Sequence, residues 1–383
     1  DATLKLLVDK AKFLKSWNLA ERSAGQRSTI SVLTGVKCEA SAEGVFLKAT
    51  DLKTSISCAA DGVEVLLEGG AIFPVKNIGE FFKKAPGENF TVGVDKGKAT
   101  VVSGASVYSF ATYPVTEFPK LPTSDKAQPF FRVECVDLKR LLEEGSFSGS
   151  PGEEFPQYLS AGLVQTVEDK VRVVSTDGRR LSLSQGVVTV EGEPDQVLLP
   201  LAGLRELQRA LSAVEGDEEV AVLKDDAQVY FKTKSIEFSV RRVESRFPPY
   251  EKVLSTDRTS WLTIDRNLFI EALERAEVVV RDFSRMVVLE LAPAGNLKMR
   301  AKAPEVGEAF EEIAGDCDGE PIRIAFNVKY LLEGLKALHG TVAHLSFNGP
   351  NGQMTLSRPR EDSFLYVLMP ITLPEEDSGQ ETA

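Results

Sequence analysis

Apolar positions along this chain recur with period two, then with helical spacing, then with period two again, and that succession is written three times. In the first copy, 3–8 reads as a strand, Asp9 as the cap of a helix running to about Leu19, and 36–58 as strands broken by a Ser-Ala-Glu-Gly turn at 41–44. Pro74 opens a second helix that ends at Pro86-Gly87, and 90–94 and 99–111 read as hairpin strands around Asp95-Lys96-Gly97. Pro114, Pro119 and Pro122 close this copy. The second runs from Phe130 to about Leu254, ending in the linker Arg246-Phe247-Pro248-Pro249-Tyr250, and the third from Trp261 to Leu373.

Two sets of markers give the period. Asp9, Asp137 and Asp265 each stand between a strand-like run and a helical one and lie 128 apart (137−9, 265−137), with Phe13, Leu141 and Phe269 at the same offset. The runs ending at Pro74, Pro200 and Phe326 lie 126 apart, and each opens a helix. A repeat of this length has the size of a domain. The expected domains are 1–125, 126–255 and 256–373, followed by an acidic, polar tail, 374–383, expected to be disordered. Two helices among many strands cannot separate every strand pair, so each module is α+β with antiparallel sheet. Strand edges left at the chain's ends must be covered or paired, and end-to-end pairing makes a ring or a filament.

Composition changes this picture little: 43% hydrophobic and 27% charged residues are ordinary for globular domains. No apolar run suggests a membrane span or a leader, which makes a soluble, cytoplasmic protein the expectation. Cys38, Cys58, Cys135 and Cys317 form no C-x-x-C pair and read as reduced, half-buried strand residues; His339 and His344 read as solvent or turn residues. The net charge of −12 argues against nucleic acid, but its distribution does not. The six helical segments 10–20, 75–85, 138–144, 201–211, 266–275 and 328–338 hold 14 Lys and Arg against 7 Asp and Glu. Gathered on one surface they would attract phosphate; on composition alone they read as solvated helix faces, as Lys and Arg do in most proteins.

Several short runs resemble the bacterial DNA polymerase III beta subunit family, the sliding clamps. They are Ala49-Thr50-Asp51-Leu52, Ser175-Thr176-Asp177-Gly178-Arg179-Arg180-Leu181, the Arg246–Tyr250 linker, Phe326-Asn327-Val328-Lys329-Tyr330 and Tyr366-Val367-Leu368-Met369-Pro370-Ile371. Their order and spacing over 3–373, with the threefold repeat, carry the resemblance. It implies a DNA-clamp fold and a head-to-tail homodimeric ring that encircles double-stranded DNA without sequence specificity and tethers the replicative polymerase. Phosphate contacts in such a ring must be few, weak and equivalent at every register. The resemblance places them at Lys10, Lys12, Lys15, Arg27, Lys76, Lys83, Lys84, Gln157, Tyr158, Arg205, Arg209, Lys329 and Lys336, and the dimer contact at Tyr108, Phe110, Val278 and Val279.

It also implies a groove for short linear peptides, typically a Gln followed by Leu and Phe, from the polymerase alpha subunit, the clamp loader and repair proteins. By motif, the lining is Leu159, Thr176, Gly178, Arg179, Arg180, Leu181, Pro248, Lys252, Val253, Val367, Met369, Pro370 and Ile371, of which Leu181, Val253 and Val367 read equally as plain core. The chain departs from the pattern at Pro156, Lys252 and Thr372, where the family often has arginine, and in the acidic tail, expected to weaken peptide binding at low salt.

An enzyme is the first rival. Asp51 and Asp177 recur in Thr-Asp turns, but in different modules, and read as turn anchors. No P-loop, G-x-G-x-x-G, G-x-S-x-G or metal-spaced cluster occurs, so no catalytic residue, metal or cofactor is expected. The second rival is a three-domain protein-interaction scaffold that never encircles DNA.

Overall fold

In the computed structural model, which describes residues 3–26, 28–254 and 257–373, the strand Leu4–Asp9 buries Leu4, Leu6 and Val8 and turns Lys5 and Leu7 outward. Helix α1 (Lys10–Glu21) starts where the Asp9 side chain accepts the Lys12 N–H at 3.3 Å, and buries Phe13, Trp17 and Ala20 at helical spacing. After the strand Gly69–Pro74 the chain winds through a π-turn, Val75–Gly79, into α2 (Glu80–Lys84), which stops ahead of Pro86. The middle module has α3 (Cys135–Gly145) and α4 (Leu201–Leu211); the third has α5 (Arg266–Val280), capped by Asp265, and α6 (Val328–Ala337), capped by Asn327. The same order of strand, helix, strands, helix, strands is thus built three times.

The period is less even than the aspartates imply. The first helices of the three modules start at Lys10, Cys135 and Arg266, 125 and 131 apart (135−10, 266−135). Asp137 lies inside the first turn of α3 and is no cap; Glu134, which ends the preceding strand, takes the place of Asp9 and Asp265. A slip of three residues is close to one helical turn and keeps the apolar face, so Leu141 is buried like Phe13 and Phe269. The run 99–111 is two strands, Lys98–Ser103 and Ser106–Ala111, parted at Gly104. The tail 374–383 lies outside the described residues.

The chain divides into two compact units. One holds the chain up to Lys139 with Val188–Asp195 and Ala202–Arg242; the other holds Arg140–Val187, Gln196–Leu201 and the chain from Val243 on. Every named strand pair in both is antiparallel. In the first unit a five-stranded and a nine-stranded sheet enclose an aromatic core in which Phe82 meets Phe13 edge-on at 5.5 Å, Trp17 at 5.1 Å and Phe73 at 5.6 Å. Burying each such ring contributes about 1.5–3 kcal/mol. In the second, a nine-stranded and a four-stranded sheet pack on α5 and α6 around Phe269, Leu273, Phe326 and Leu331.

Each nine-stranded sheet runs through a joint between successive modules. In the first unit Thr54–Ala59 pairs with Ile236–Arg241, setting Ser55 opposite Ser239 and Ser57 opposite Glu237. In the second, Arg180–Val187 pairs with Phe364–Leu368, setting Leu181 opposite Val367 and Leu183 opposite Leu365. The ladder hydrogen bonds therefore continue from one module into the next.

The four cysteines are fully buried rather than half-buried, and Cys135 opens α3 instead of lying on a strand. Burial pushes the Cys38 and Cys58 thiols up to about 12, which keeps them protonated and unreactive. His344 also differs from expectation: it lies half-buried on the strand Val342–Phe347, with Nδ1 3.0 Å from Thr263 Oγ1. Among the described residues no helix is long and apolar enough to cross a membrane.

Candidate functional site

The second unit brings most of the motif-derived groove residues together. Leu181 and Val367, facing each other across the joint, share an apolar cluster with Leu163, Val174, Leu183, Phe247 and Tyr250, against which Val253 packs. Phe247 and Tyr250 come from the linker, which folds back over the sheet; the Tyr250 hydroxyl donates to Gln165 Oε1 at 2.6 Å and accepts from Arg172 at 3.1 Å. The terminal segment is held at two points, Met369 N–H to Arg179 O at 3.1 Å and Ile371 N–H to Ala325 O at 2.8 Å. At the first of them Met369 is 46% exposed, a flexible apolar side chain on a fixed backbone. Pro248, Pro370 and Leu159 are half-buried, while Lys252 and Arg179 are exposed.

The rim of this surface is the turn at Thr176–Arg180. Asp177 Oδ1 accepts the N–H groups of Arg179 at 2.9 Å and Arg180 at 3.1 Å, the anchor role expected of it, and Gly178 adopts φ +88°. Arg180, unlike the exposed Gly178 and Arg179, is 8% exposed. Its Nε donates to Asp177 Oδ2 at 3.2 Å and its Nη1 to Glu333 and to the Tyr366 hydroxyl, while its guanidinium lies 4.4 Å from the Tyr330 ring centre. Burial alone would lower the Arg180 pKa, but Tyr366 and Glu333 outweigh it and raise it. Tyr330, Glu333 and Tyr366 were missed by sequence reasoning; Tyr330 and Tyr366 stood inside quoted motifs, whereas nothing local to Glu333 ties it to Arg180.

The candidate DNA residues divide. Lys12, Lys15, Lys76, Lys84, Arg205 and Lys329 are exposed and make no ion pair among the described residues. Lys10 instead donates to Ala85 O at 2.7 Å, Lys83 pairs with Glu21, Arg209 with Glu206 at 2.7 Å and Lys336 with Glu274 at 3.5 Å. Gln157 is exposed, but the Tyr158 ring is half-buried 5.9 Å from Phe247, on the apolar cluster that holds Leu181 and Val367. Arg27 lies outside the described residues. The observed helix bounds add Glu21, Asp137 and Glu277, so the basic excess sits on α1, α4, α6 and the Val75–Lys84 segment, while α3 and α5 are net acidic.

Of the expected dimer residues, Tyr108 and Phe110 stack at 6.2 Å on Ser106–Ala111, an edge strand, with Phe81 of α2 4.3 Å from Tyr108. Val278 is exposed near the end of α5, and Val279 packs on the core of the third module.

Three two-helix modules with antiparallel sheets continuing across their joints make a DNA clamp fold. Family models agree module by module: the N-terminal, central and C-terminal domains of the DNA polymerase III beta subunit match residues 4–122, 132–249 and 251–372. The beta sliding clamp of Pseudomonas putida is 29% identical over 368 residues, covering 96% of this chain and 99% of its own. A sliding clamp from Pseudomonas aeruginosa, solved bound to griselimycin, is 26% identical with a TM-score of 0.90, covering 97% of this chain and 100% of its own. The Bacillus subtilis clamp structure, 24% identical with a TM-score of 0.91 and covering 97% of this chain and 100% of its own, shares the fold. The chain belongs to the DNA polymerase III beta subunit family, and its function is that of a beta sliding clamp, a non-catalytic processivity factor of DNA replication.

Proposed function

We propose that two copies of this chain, each with domains 1–125, 126–255 and 256–373, close head to tail into a ring around duplex DNA in the cytoplasm. The observation that carries this is a pair of open strand edges in the first and third modules. Ser106–Ala111 ends the five-stranded sheet with Val107 64% and Tyr108 49% exposed; Gly307–Ile313 ends the four-stranded sheet with Phe310 52% exposed, beside the α5 that bears Val278. Open edges that expose Val, Tyr and Phe side chains are a liability in a monomer and are covered by mutual pairing in a closed dimer. Lys12, Lys15, Lys76, Lys84, Arg205 and Lys329 meet phosphate without reading bases, so the ring slides.

The Leu181–Val367–Met369 surface then receives linear motifs of the polymerase alpha subunit, the clamp loader and repair proteins, with apolar anchors over the joint and Arg179 and Lys252 at the rim. Two measurements test the reading. Loaded protein is retained on nicked circular DNA and lost when the circle is linearised; equal loss from both forms rejects encirclement. A fluorescent Gln-Leu-x-Leu-Phe peptide shows saturable anisotropy that disappears when its Leu and Phe are replaced; a flat titration rejects the groove. A monomer by light scattering, still binding peptide, would favour the scaffold instead.

A further inference from the structure

The turn at the groove rim is built twice in this chain, and the copy in the first module is an internal control. Thr50 Oγ1 donates to Thr54 O at 2.8 Å, and Thr176 Oγ1 to Arg180 O at 2.6 Å. The N–H groups of Leu52 and Gly178 donate to those threonine oxygens at 3.0 and 3.1 Å. Asp51 Oδ1 accepts from Lys53 and Thr54 at 2.9 and 2.7 Å, as Asp177 Oδ1 does from Arg179 and Arg180. These four bonds are present in both copies, although the first adds Asp51 N–H to Thr54 O at 3.3 Å and has Thr54, whose hydroxyl lies 3.4 Å from Asp51 Oδ1, where the second has Arg180. The guanidinium is not needed to make the turn.

Its contacts lead instead to α6 and the adjoining strand. Glu333 and Tyr330 stand three residues apart on one helix face, and the Tyr366 hydroxyl, which accepts from Arg180 at 3.4 Å, donates to Tyr330 O at 2.8 Å. A buried charge network adds little net stability over an apolar packing, but a planar fork held between two carboxylates and a ring fixes orientation. The same turn carries Arg179 O, which holds the Met369 N–H.

We propose that Arg180 is a positioning residue for the partner groove: it clamps the Thr176–Arg180 turn to α6 and so sets Gly178, Arg179 and Met369 over the Leu181–Val367 floor, without touching the bound peptide. This rests on the groove reading above. The decisive variant is Glu333→Gln in the full chain, read by anisotropy with the same peptide. A direct ligand freed from its carboxylate partner would bind as well or better, whereas a released clamp loses affinity, about tenfold and through faster dissociation. Arg180→Lys keeps the charge but not the fork and falls with Arg180→Met. In the Arg180→Met background, Glu333→Gln has no further effect.

Wild-type or tighter binding by Glu333→Gln, full affinity in Arg180→Lys, or an undiminished Glu333→Gln effect without Arg180 each overturns the proposal. If Arg180 variants do not fold, Glu333→Gln decides alone, since that side chain is 33% exposed. Failure of the unaltered chain to bind peptide takes down the groove and this inference with it, and is distinguished because it needs no variant.

Discussion

Leu52 and Gly178 occupy the same place in two copies of one turn, at φ +74° and +88°. For leucine this left-handed backbone costs about 1 kcal/mol, of which the greater freedom of an unfolded glycine would offset about half. Leu52→Gly should therefore raise stability by about 0.5 kcal/mol and Gly178→Ala lower it by about 0.5 kcal/mol. Opposite shifts in the urea midpoint check this; shifts of one sign refute it. His344 gives a pH dependence. Burial holds its imidazole below the ordinary 6.5, so as pH falls through 6.5 the unfolded chain takes up a proton that the folded chain does not, and stability declines. His344→Gln should flatten the fall in Tm between pH 6.5 and 5; an unchanged slope would assign it to carboxylates. The roles of Asp51 and Asp177 were legible because their partners lie two and three residues away. That of Arg180 was not, because Glu333 and Tyr366 are 153 and 186 residues distant.

At the scale of elements, pattern found the six α-helices of the described residues and missed where several of them begin or end. The start of α3 was misplaced because three residues make almost a full turn, so the apolar face matched in either register. The two strands within 99–111 were fused because Gly104 is a weak break beside a run of small residues. One feature of α3 had no signal at all. Glu144, fully buried, accepts from Arg140 at 2.9 Å, Arg358 at 2.9 Å and Ser184 at 3.1 Å, tying the helix to the C-terminal hairpin 214 residues on. Removing a single partner from such a set strands buried charge, so Glu144→Ala should cost about 3 kcal/mol or more. Chemical denaturation measures it, and a loss under 1 kcal/mol would show that the arginines find water or other partners.

For the whole molecule, the open edges make the prediction. Tyr108→Glu places a carboxylate on the edge strand beside Phe81 and Phe110, and should convert a dimer to a monomer by light scattering and abolish retention on circular DNA while leaving peptide affinity intact. A dimer that persists would move the contact elsewhere. The fold class was readable because a repeat multiplies weak local signals, and the residues of the proposed groove could be gathered only through short motifs, since they come from segments far apart in sequence. The joints between modules carry one further consequence. Around the first stand Lys48, Ser55, Ser57, Glu237 and Ser239; at the matching positions of the second stand Val174, Leu181, Leu183, Leu365 and Val367. Side-chain chemistry has been exchanged completely while the pairing is the same, because peptide groups form the ladder and nearly every residue supplies one. Selection on partners can therefore rewrite the surface of a joint without loosening it, which is how relatives keep one architecture, at a TM-score of 0.91, on 24% identity.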